Sequence, residues 1–187
     1  MKKIALLAII SLLALRGAGT AAAAENRILV ACFSWSGNTM TVARTIADAL
    51  GVELFEIKTV KPYTDNYDAV LDVAKAEQNR KARPELAAHV TNMGQYDTIF
   101  LGYPCWWGTM PMAVFNFLEE YDFSGKRVIP FVTHGGSGFG RSLNDLKRTI
   151  PGAKIEAKGL SLYGTSVTGA HSQVIKWLDT LGFTVKK

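Results

Sequence analysis

The chain has 187 residues, of which 48% are hydrophobic, and this is enough material for one domain with a single core. Its 21 Lys and Arg residues exceed its 16 Asp and Glu residues by five, but no basic run is longer than two, which argues against a nucleic-acid-binding protein. The three histidines show no metal-site spacing. Cys32 and Cys105 allow at most one disulfide, and Cys32, inside an apolar run, is predicted to be buried and unpaired.

The first 24 residues have the pattern of a secretory signal peptide. Two lysines precede an apolar run at 4–15, too short to span a bilayer comfortably, and small residues lead to Ala22-x-Ala24. We therefore predict cleavage after Ala24 and export to the periplasm or the medium, with no membrane span after cleavage. An uncleaved anchor is the alternative. Residues 25–187 then form one domain, with 18 basic against 16 acidic residues and a net charge near +2.

Apolar runs and helical periodicity alternate through the rest of the chain. Uninterrupted apolar runs predict strands at 28–33, 52–57, 98–103, 127–133 and 153–160. One-sided apolar faces predict a helix that ends at Leu50, before Gly51, and helices at 66–81, 112–120, 143–150 and 171–181. This alternation predicts an α/β fold with right-handed βαβ crossovers and a parallel sheet covered by helices on both faces.

The predicted helix at 66–81 has a weak apolar face and many charges on the other side. It fits a solvated helix without a role in ligand binding. Alternatively, it forms a lid over the sheet edge and brings Tyr63 or Tyr67 near a ligand.

The turn after the first predicted strand is Ser34-Trp35-Ser36-Gly37-Asn38-Thr39. Its hydroxyls, the free N–H groups of residues 36–39 and the helix dipole together suit an anion. It has neither the lysine of a Walker loop nor the three spaced glycines of a dinucleotide motif. A terminal phosphomonoester held by neutral donors fits best. An ordinary capped turn, with Ser36 or Thr39 as N-cap, is the alternative.

Two more loops follow the third and fourth predicted strands. The first is Pro104-Cys105-Trp106-Trp107-Gly108-Thr109, in which two adjacent tryptophans cannot both point inward, so one is predicted to be exposed to solvent or a flat ligand. With Trp35, three tryptophans then meet at one edge, while Trp177 belongs to the core. The second is Thr133-His134-Gly135-Gly136-Ser137-Gly138-Phe139, whose glycines allow the backbone to approach a planar ligand. A flexible surface loop is the alternative.

These three loops resemble the flavin-binding loops of the flavodoxin family, over almost all of the chain after residue 24. Ser34-x-Ser36-Gly37-x-Thr39 is similar to the FMN phosphate loop, and Tyr103-Pro104-Cys105-Trp106-Trp107-Gly108-Thr109-Met110-Pro111 is similar to the second flavin loop of one subfamily. The resemblance implies a flavodoxin-like five-stranded parallel sheet in the order 2-1-3-4-5. It also implies FMN as cofactor, with residues 34–39, 104–109 and 133–139 as its contacts. Gly108 would let the Trp-Gly peptide turn a carbonyl toward the ring when the flavin is reduced.

The function implied by this resemblance is electron transfer through FMN, with a redox partner protein or a small electron donor or acceptor. Electron-carrying flavodoxins are usually strongly acidic, and this chain departs from them in charge. One alternative is an NAD(P)H-dependent FMN quinone or flavin reductase, which often works as a homodimer. In such relatives a histidine can protonate a substrate oxygen, and here His134 is the candidate catalytic residue. A third reading is a binder of another phosphorylated aromatic compound.

Overall fold

The computed structural model describes residues 27–186, so the predicted signal peptide and its cleavage site lie outside the described residues. The strands are β1 Ile28–Cys32, β2 Glu53–Glu56, β3 Thr98–Pro104, β4 Arg127–His134, β5 Lys154–Ile155 and β6 Leu160–Tyr163. The helices are α1 Asn38–Leu50, α2 Tyr67–Asn79, α3 Met112–Glu120, α4 Ser142–Thr149 and α5 His171–Thr180, with 3-10 turns at Met93–Gln95 and Gly164–Gly169. Among these helices, none is long and apolar enough to cross a membrane.

All strand pairs in the sheet are parallel, and the order is β2-β1-β3-β4-β5, with β6 also paired to β4. This confirms the flavodoxin-like α/β fold. Every residue of β1 is buried because the sheet is covered on both faces. On one face the core is built with α1 and α5 and includes Trp177, as predicted. On the other face it is built with α3 and α4.

The fifth strand position is divided between two short strands, so the single strand predicted at 153–160 is wrong. The Val128 carbonyl accepts a hydrogen bond from the Glu156 N–H at 2.8 Å, which shows that the backbone polar groups of Val128 point toward the fifth strand position. Because alternate residues of a strand face the same neighbour, Pro130 also faces it and has no N–H to give. The ladder stops after Ile155 and resumes at Leu160, which pairs with Phe131. The last strand therefore ends at Tyr163 rather than at residue 160.

The two cysteines are both free, although β1 and β3 are neighbours. Cys32 is fully buried, as predicted, and this burial raises the pKa of its thiol far above the ordinary value. Cys105 is half-buried in the loop after β3.

Candidate functional site

A cavity of about 450 Å³ lies at the carboxyl ends of β1, β3, β4 and β6. Its volume is within the range of about 300–1,000 Å³ that is usual for cofactor pockets. In open α/β sheets, ligands bind at this edge, where the winding of the sheet reverses. The lining residues are Trp35, Ser36, Asn38, Tyr67, Val70, Leu71, Pro104, Cys105, Trp106, Trp107, Thr133, His134, Gly135, Tyr163, Gly164 and Thr165.

The start of α1 presents free backbone donors to this cavity. Within the described residues, the N–H groups of residues 36–39 have no hydrogen-bond acceptor. Gly37 is the N-cap with φ 87°, a left-handed conformation that favours glycine. The next N–H, of Met40, donates to the Ser34 hydroxyl at 3.1 Å, so the side chain that caps this turn is Ser34 rather than Ser36 or Thr39. Four amides and the positive end of the helix dipole are thus left for an anion.

Thr39 and Thr133 bind each other across the sheet edge. Their hydroxyl oxygens are 2.7 Å apart, and both side chains are buried. Thr133 lines the cavity, whereas Thr39 lies behind it. The pair therefore joins the start of α1 to the end of β4 and fixes the spacing between two of the predicted ligand loops.

The two tryptophans of the second loop stand at the start of a tight hairpin. The N–H of Trp106 donates to the Thr109 carbonyl at 2.8 Å and the N–H of Thr109 returns a bond at 3.1 Å. Trp107 and Gly108 have φ values of 49° and 77°, which is the pattern of a type I′ turn. Trp106 is half-buried and Trp107 is 44% exposed, which confirms that the adjacent pair cannot both enter the core.

The start of α4 holds this hairpin from behind. The Gly108 carbonyl accepts the Arg141 N–H at 2.8 Å, and the Thr109 hydroxyl donates to the buried carboxylate of Asp145. A side chain on Gly140 would put its Cβ 2.4 Å from the Gly108 oxygen, so the close approach of the two loops requires glycine there. Gly108 and Thr109 thus support the turn and do not line the cavity.

Helix α2 covers one side of the cavity with Tyr67, Val70 and Leu71, as the lid interpretation predicts. Two indoles attach to this segment: the Trp35 Nε1–H donates to the Thr64 carbonyl at 2.8 Å, and the Trp107 Nε1–H donates to the Leu71 carbonyl at 2.9 Å.

Tyr63 lies behind this wall. Its ring packs against that of Trp106, which lines the cavity, with the ring centroids 5.3 Å apart. Its hydroxyl donates a hydrogen bond to Glu77 at 2.7 Å. Burial and this hydrogen bond raise the pKa of Tyr63. A larger cavity of about 710 Å³ lies on the far side of Tyr63, between α2 and the loop at 59–64, but it contains none of the residues at the strand ends.

His134 is half-buried at the cavity wall. Its Nδ1 accepts a hydrogen bond from the Gly136 N–H at 3.0 Å, so in the neutral ring the hydrogen is on Nε2. Partial burial lowers the pKa of His134, which favours this neutral form. Phe139, farther along the loop, turns away and accepts the Ser142 N–H at the start of α4.

The cavity brings together ten of the residues predicted from the sequence: Trp35, Ser36, Asn38, Pro104, Cys105, Trp106, Trp107, Thr133, His134 and Gly135. Nine others lie beside or behind its wall: Ser34, Gly37, Thr39, Gly108, Thr109, Gly136, Ser137, Gly138 and Phe139. Tyr163, Gly164 and Thr165 were not predicted as site residues, because the last strand was expected to end at residue 160. Their position after an apolar run at the same sheet edge was the available signal.

As far as residues 27–186 form it, the cavity wall contains no charged side chain. An anion in this cavity would therefore be held by amides, hydroxyls and the helix dipole. The described residues also contain no group of His, Cys, Asp and Glu side chains that could hold a metal ion.

Comparison with known proteins decides the family of the chain. Residues 27–181 match the model of a protein family described as flavodoxin. The chain belongs to the flavodoxin family. No curated protein matches this flavodoxin-family sequence.

Three solved structures are similar to this flavodoxin-family protein. One, provisionally named a flavoprotein, from Bacteroides eggerthii, is 34% identical with a TM-score of 0.71, over 86% of this chain and 99% of that one. A second of the same kind, from Bacteroides uniformis, is 31% identical with a TM-score of 0.69, over 82% and 98% of the two chains. A flavoprotein from Lactobacillus acidophilus, solved in complex with FMN, is 23% identical with a TM-score of 0.62, over 79% and 99%, and at this identity the likeness shows the fold alone.

Proposed function

We propose that this protein binds FMN in the cavity at the strand ends and transfers electrons through it. One observation carries the proposal: Ser36 and Asn38, at the start of α1 where the backbone N–H groups are free, line the same cavity as Trp35, Trp106 and Trp107. A phosphate ester fits the amides, and a planar apolar ring fits the indoles. The FMN held by the Lactobacillus protein of the same fold supports this choice of ligand.

FMN, when bound, supplies one- and two-electron redox chemistry. The protein's own part is to hold and shield it. The amides at the start of α1 orient the phosphate group, the indoles enclose the ring, and α2 excludes water on one side through Tyr67, Val70 and Leu71. Because no carboxylate lines the described wall, a bound flavin would have no negative side chain in direct contact with it to oppose its reduction.

The Trp-Gly peptide of the second loop is the group that responds to the redox state. The Gly108 carbonyl is fixed by its 2.8 Å bond from Arg141, whereas the Trp107 carbonyl accepts only a long bond of 3.4 Å from the Gln78 side chain. Of the two carbonyls, that of Trp107 is therefore the one free to turn, and it would be the one to accept a hydrogen bond from bound FMN. This rotation needs a residue at position 108 that tolerates both signs of φ.

Electron transfer is tested with the purified protein loaded with FMN. We expect the protein-bound flavin, once reduced photochemically, to pass single electrons to ferricyanide or a cytochrome in a stopped-flow mixing experiment. Reduced bound flavin that passes no electrons to either acceptor contradicts an electron-transfer role.

His134 favours a second candidate function, a quinone or flavin reductase. Its neutral ring carries a hydrogen on Nε2 at the cavity wall, in a position to donate to a substrate oxygen. Rapid reduction of the bound flavin by NADPH, followed by reoxidation with a quinone, would favour this reductase. Slow reduction by NADPH together with rapid one-electron exchange would favour the carrier.

We propose that this chemistry takes place outside the cytoplasm, because the sequence predicts a signal peptide. The general secretory route exports unfolded chains, and the leader has Lys2-Lys3 rather than the paired arginines of the folded-protein route. FMN would then be captured after export. N-terminal sequencing of the mature protein from its host tests the proposal: a mature chain that starts at Glu25 supports it, and one that starts at Met1 contradicts it.

A further inference from the structure

We propose that residues 163–165, between β6 and α5, form a fourth ligand-binding loop. In this loop Tyr163 contacts the flavin ring and the Thr165 hydroxyl donates to the phosphate group. The inference rests on the proposed binding of FMN and assigns contacts beyond the three loops described above. All three residues of the segment line the cavity at the strand ends.

The pairing of the last strand places this loop beside the β4 loop. β6 is parallel to β4, and Tyr163 is the register partner of His134. Both strands therefore end at the same height on the carboxyl edge of the sheet. The break at residues 156–159 shifts the register by two residues, from Val128 opposite Ile155 to Phe131 opposite Leu160, and so places Tyr163 rather than Ser161 opposite His134.

Gly164 lies between two of the other loops. A Cβ at this position would be 2.8 Å from the Asn38 side-chain nitrogen and 3.9 Å from the His134 carbonyl oxygen. Its φ is not positive, so the lack of a side chain here provides space rather than backbone freedom. The loop thus closes the gap between the start of α1 and the end of β4.

Tyr163 offers an aromatic face at the rim of the cavity. Its side chain is 54% exposed, and its ring centroid is 4.6 Å from that of His134, with the planes tilted by 56°. A large exposed ring beside a cavity lined by three indoles is suited to a flat aromatic ligand.

Thr165 lies toward the start of α1. It belongs to the turn Gly164–Gly169, which packs against α1, and it follows the residue that touches Asn38. Thr165 is exposed, and it lines the same cavity as Ser36 and Asn38 at the start of α1. A hydroxyl is a neutral donor, and the described wall of the cavity offers a phosphate group neutral donors alone.

The two roles are separated by comparing FMN with riboflavin, which lacks the phosphate group. Dissociation constants are measured by flavin fluorescence for the wild type, Thr165→Val, Tyr163→Ala, Tyr163→Phe and Thr184→Val. Thr184 is an exposed threonine outside the cavity wall and serves as the matched control. Circular dichroism and urea midpoints check that each variant is folded.

Thr165→Val should weaken FMN binding by about 2- to 12-fold, the value of one neutral hydrogen bond, and leave riboflavin binding unchanged. Tyr163→Ala should weaken both ligands by about 2- to 12-fold, the value of one aromatic contact, while Tyr163→Phe stays near the wild type. Thr184→Val should bind as the wild type does.

Variants of Tyr163 and Thr165 that bind both flavins like the wild type overturn this inference and leave the proposed function standing. Equal losses of FMN and riboflavin in Thr165→Val overturn the phosphate contact. Wild-type protein that binds neither flavin overturns the proposed function as well.

Discussion

The buried hydroxyl pair of Thr39 and Thr133 predicts a strong coupling between two loops that are 94 residues apart in the chain. Valine has nearly the shape of threonine without its hydroxyl. In Thr39→Val the hydroxyl of Thr133, a residue that is 4% exposed, is therefore left buried without its partner. In Thr133→Val the hydroxyl of Thr39 loses its partner in the same way. The double variant removes both polar groups at once.

The size of the effect follows from desolvation. An unpaired buried hydroxyl costs about 1–3 kcal/mol, so each single variant should lose about 2 kcal/mol of unfolding free energy. For a domain of this size, about 1 kcal/mol corresponds to about 2–4 °C in Tm, which predicts a drop of about 4–8 °C. The double variant should lose less than the two single variants together, with a coupling of at least about 1 kcal/mol.

Urea denaturation of the FMN-free protein measures the four free energies of this double-mutant cycle. Thr45→Val is the control: Thr45 is half-exposed in the same helix, its hydroxyl donates to the Thr41 carbonyl at 3.0 Å, and its loss should cost less than about 0.5 kcal/mol. Single variants that cost no more than this control, or a double variant that loses the full sum, would refute the reasoning.

Three other predictions concern the wall of the cavity and the loop behind it. Gly108→Ala should destabilise the observed turn, in which φ of residue 108 is 77°, by about 1–2 kcal/mol. At about 59 mV per tenfold change in the equilibrium constant, this should raise the first reduction potential of bound FMN by about 40–80 mV. Spectroelectrochemistry measures this potential, and an unchanged value argues against rotation of the Trp107–Gly108 peptide. His134, whose pKa is lowered in the folded state, stabilises the fold above about pH 6.5, and this contribution is lost as the pH falls below that value. His134→Gln should therefore flatten the dependence of urea stability on pH between about 7.5 and 5.5, and an unaltered slope would count against it. In the native protein an alkylating reagent should modify Cys105 at the cavity wall and spare the buried Cys32, with FMN protecting Cys105. Mass spectrometry after labelling decides this, and equal labelling with and without FMN would contradict the placement of the ligand.

Local sequence patterns are enough to predict the parts of the site that depend on neighbouring residues. The apolar run before Ser34 predicts a strand and the helical spacing after Thr39 predicts a helix, with a turn and the helix N-terminus between them. Both patterns are local, with periods of two and 3.6 residues. Two adjacent tryptophans predict an exposed indole for a purely steric reason, and the structure places it at Trp107.

Features that depend on distant partners lie beyond such patterns. The break in the fifth strand comes from Pro130 in the neighbouring strand, which has no N–H on that side. α2 is joined to the second loop by the bond from the Trp107 indole to the Leu71 carbonyl, across 36 residues, which no local pattern shows. A weak apolar face alone cannot distinguish a helix held in this way from a solvated one. The hydroxyl of Thr39 could likewise be assigned to a ligand until its bond to Thr133 was seen.

Calorimetric titration of the purified protein with FMN tests the central claim most directly. We expect saturable binding of one FMN per chain, a yellow complex that survives gel filtration, and weaker binding of riboflavin because it lacks the group held by the amides at residues 36–39. No heat of binding, together with protein that stays colourless after incubation with FMN, would contradict the account.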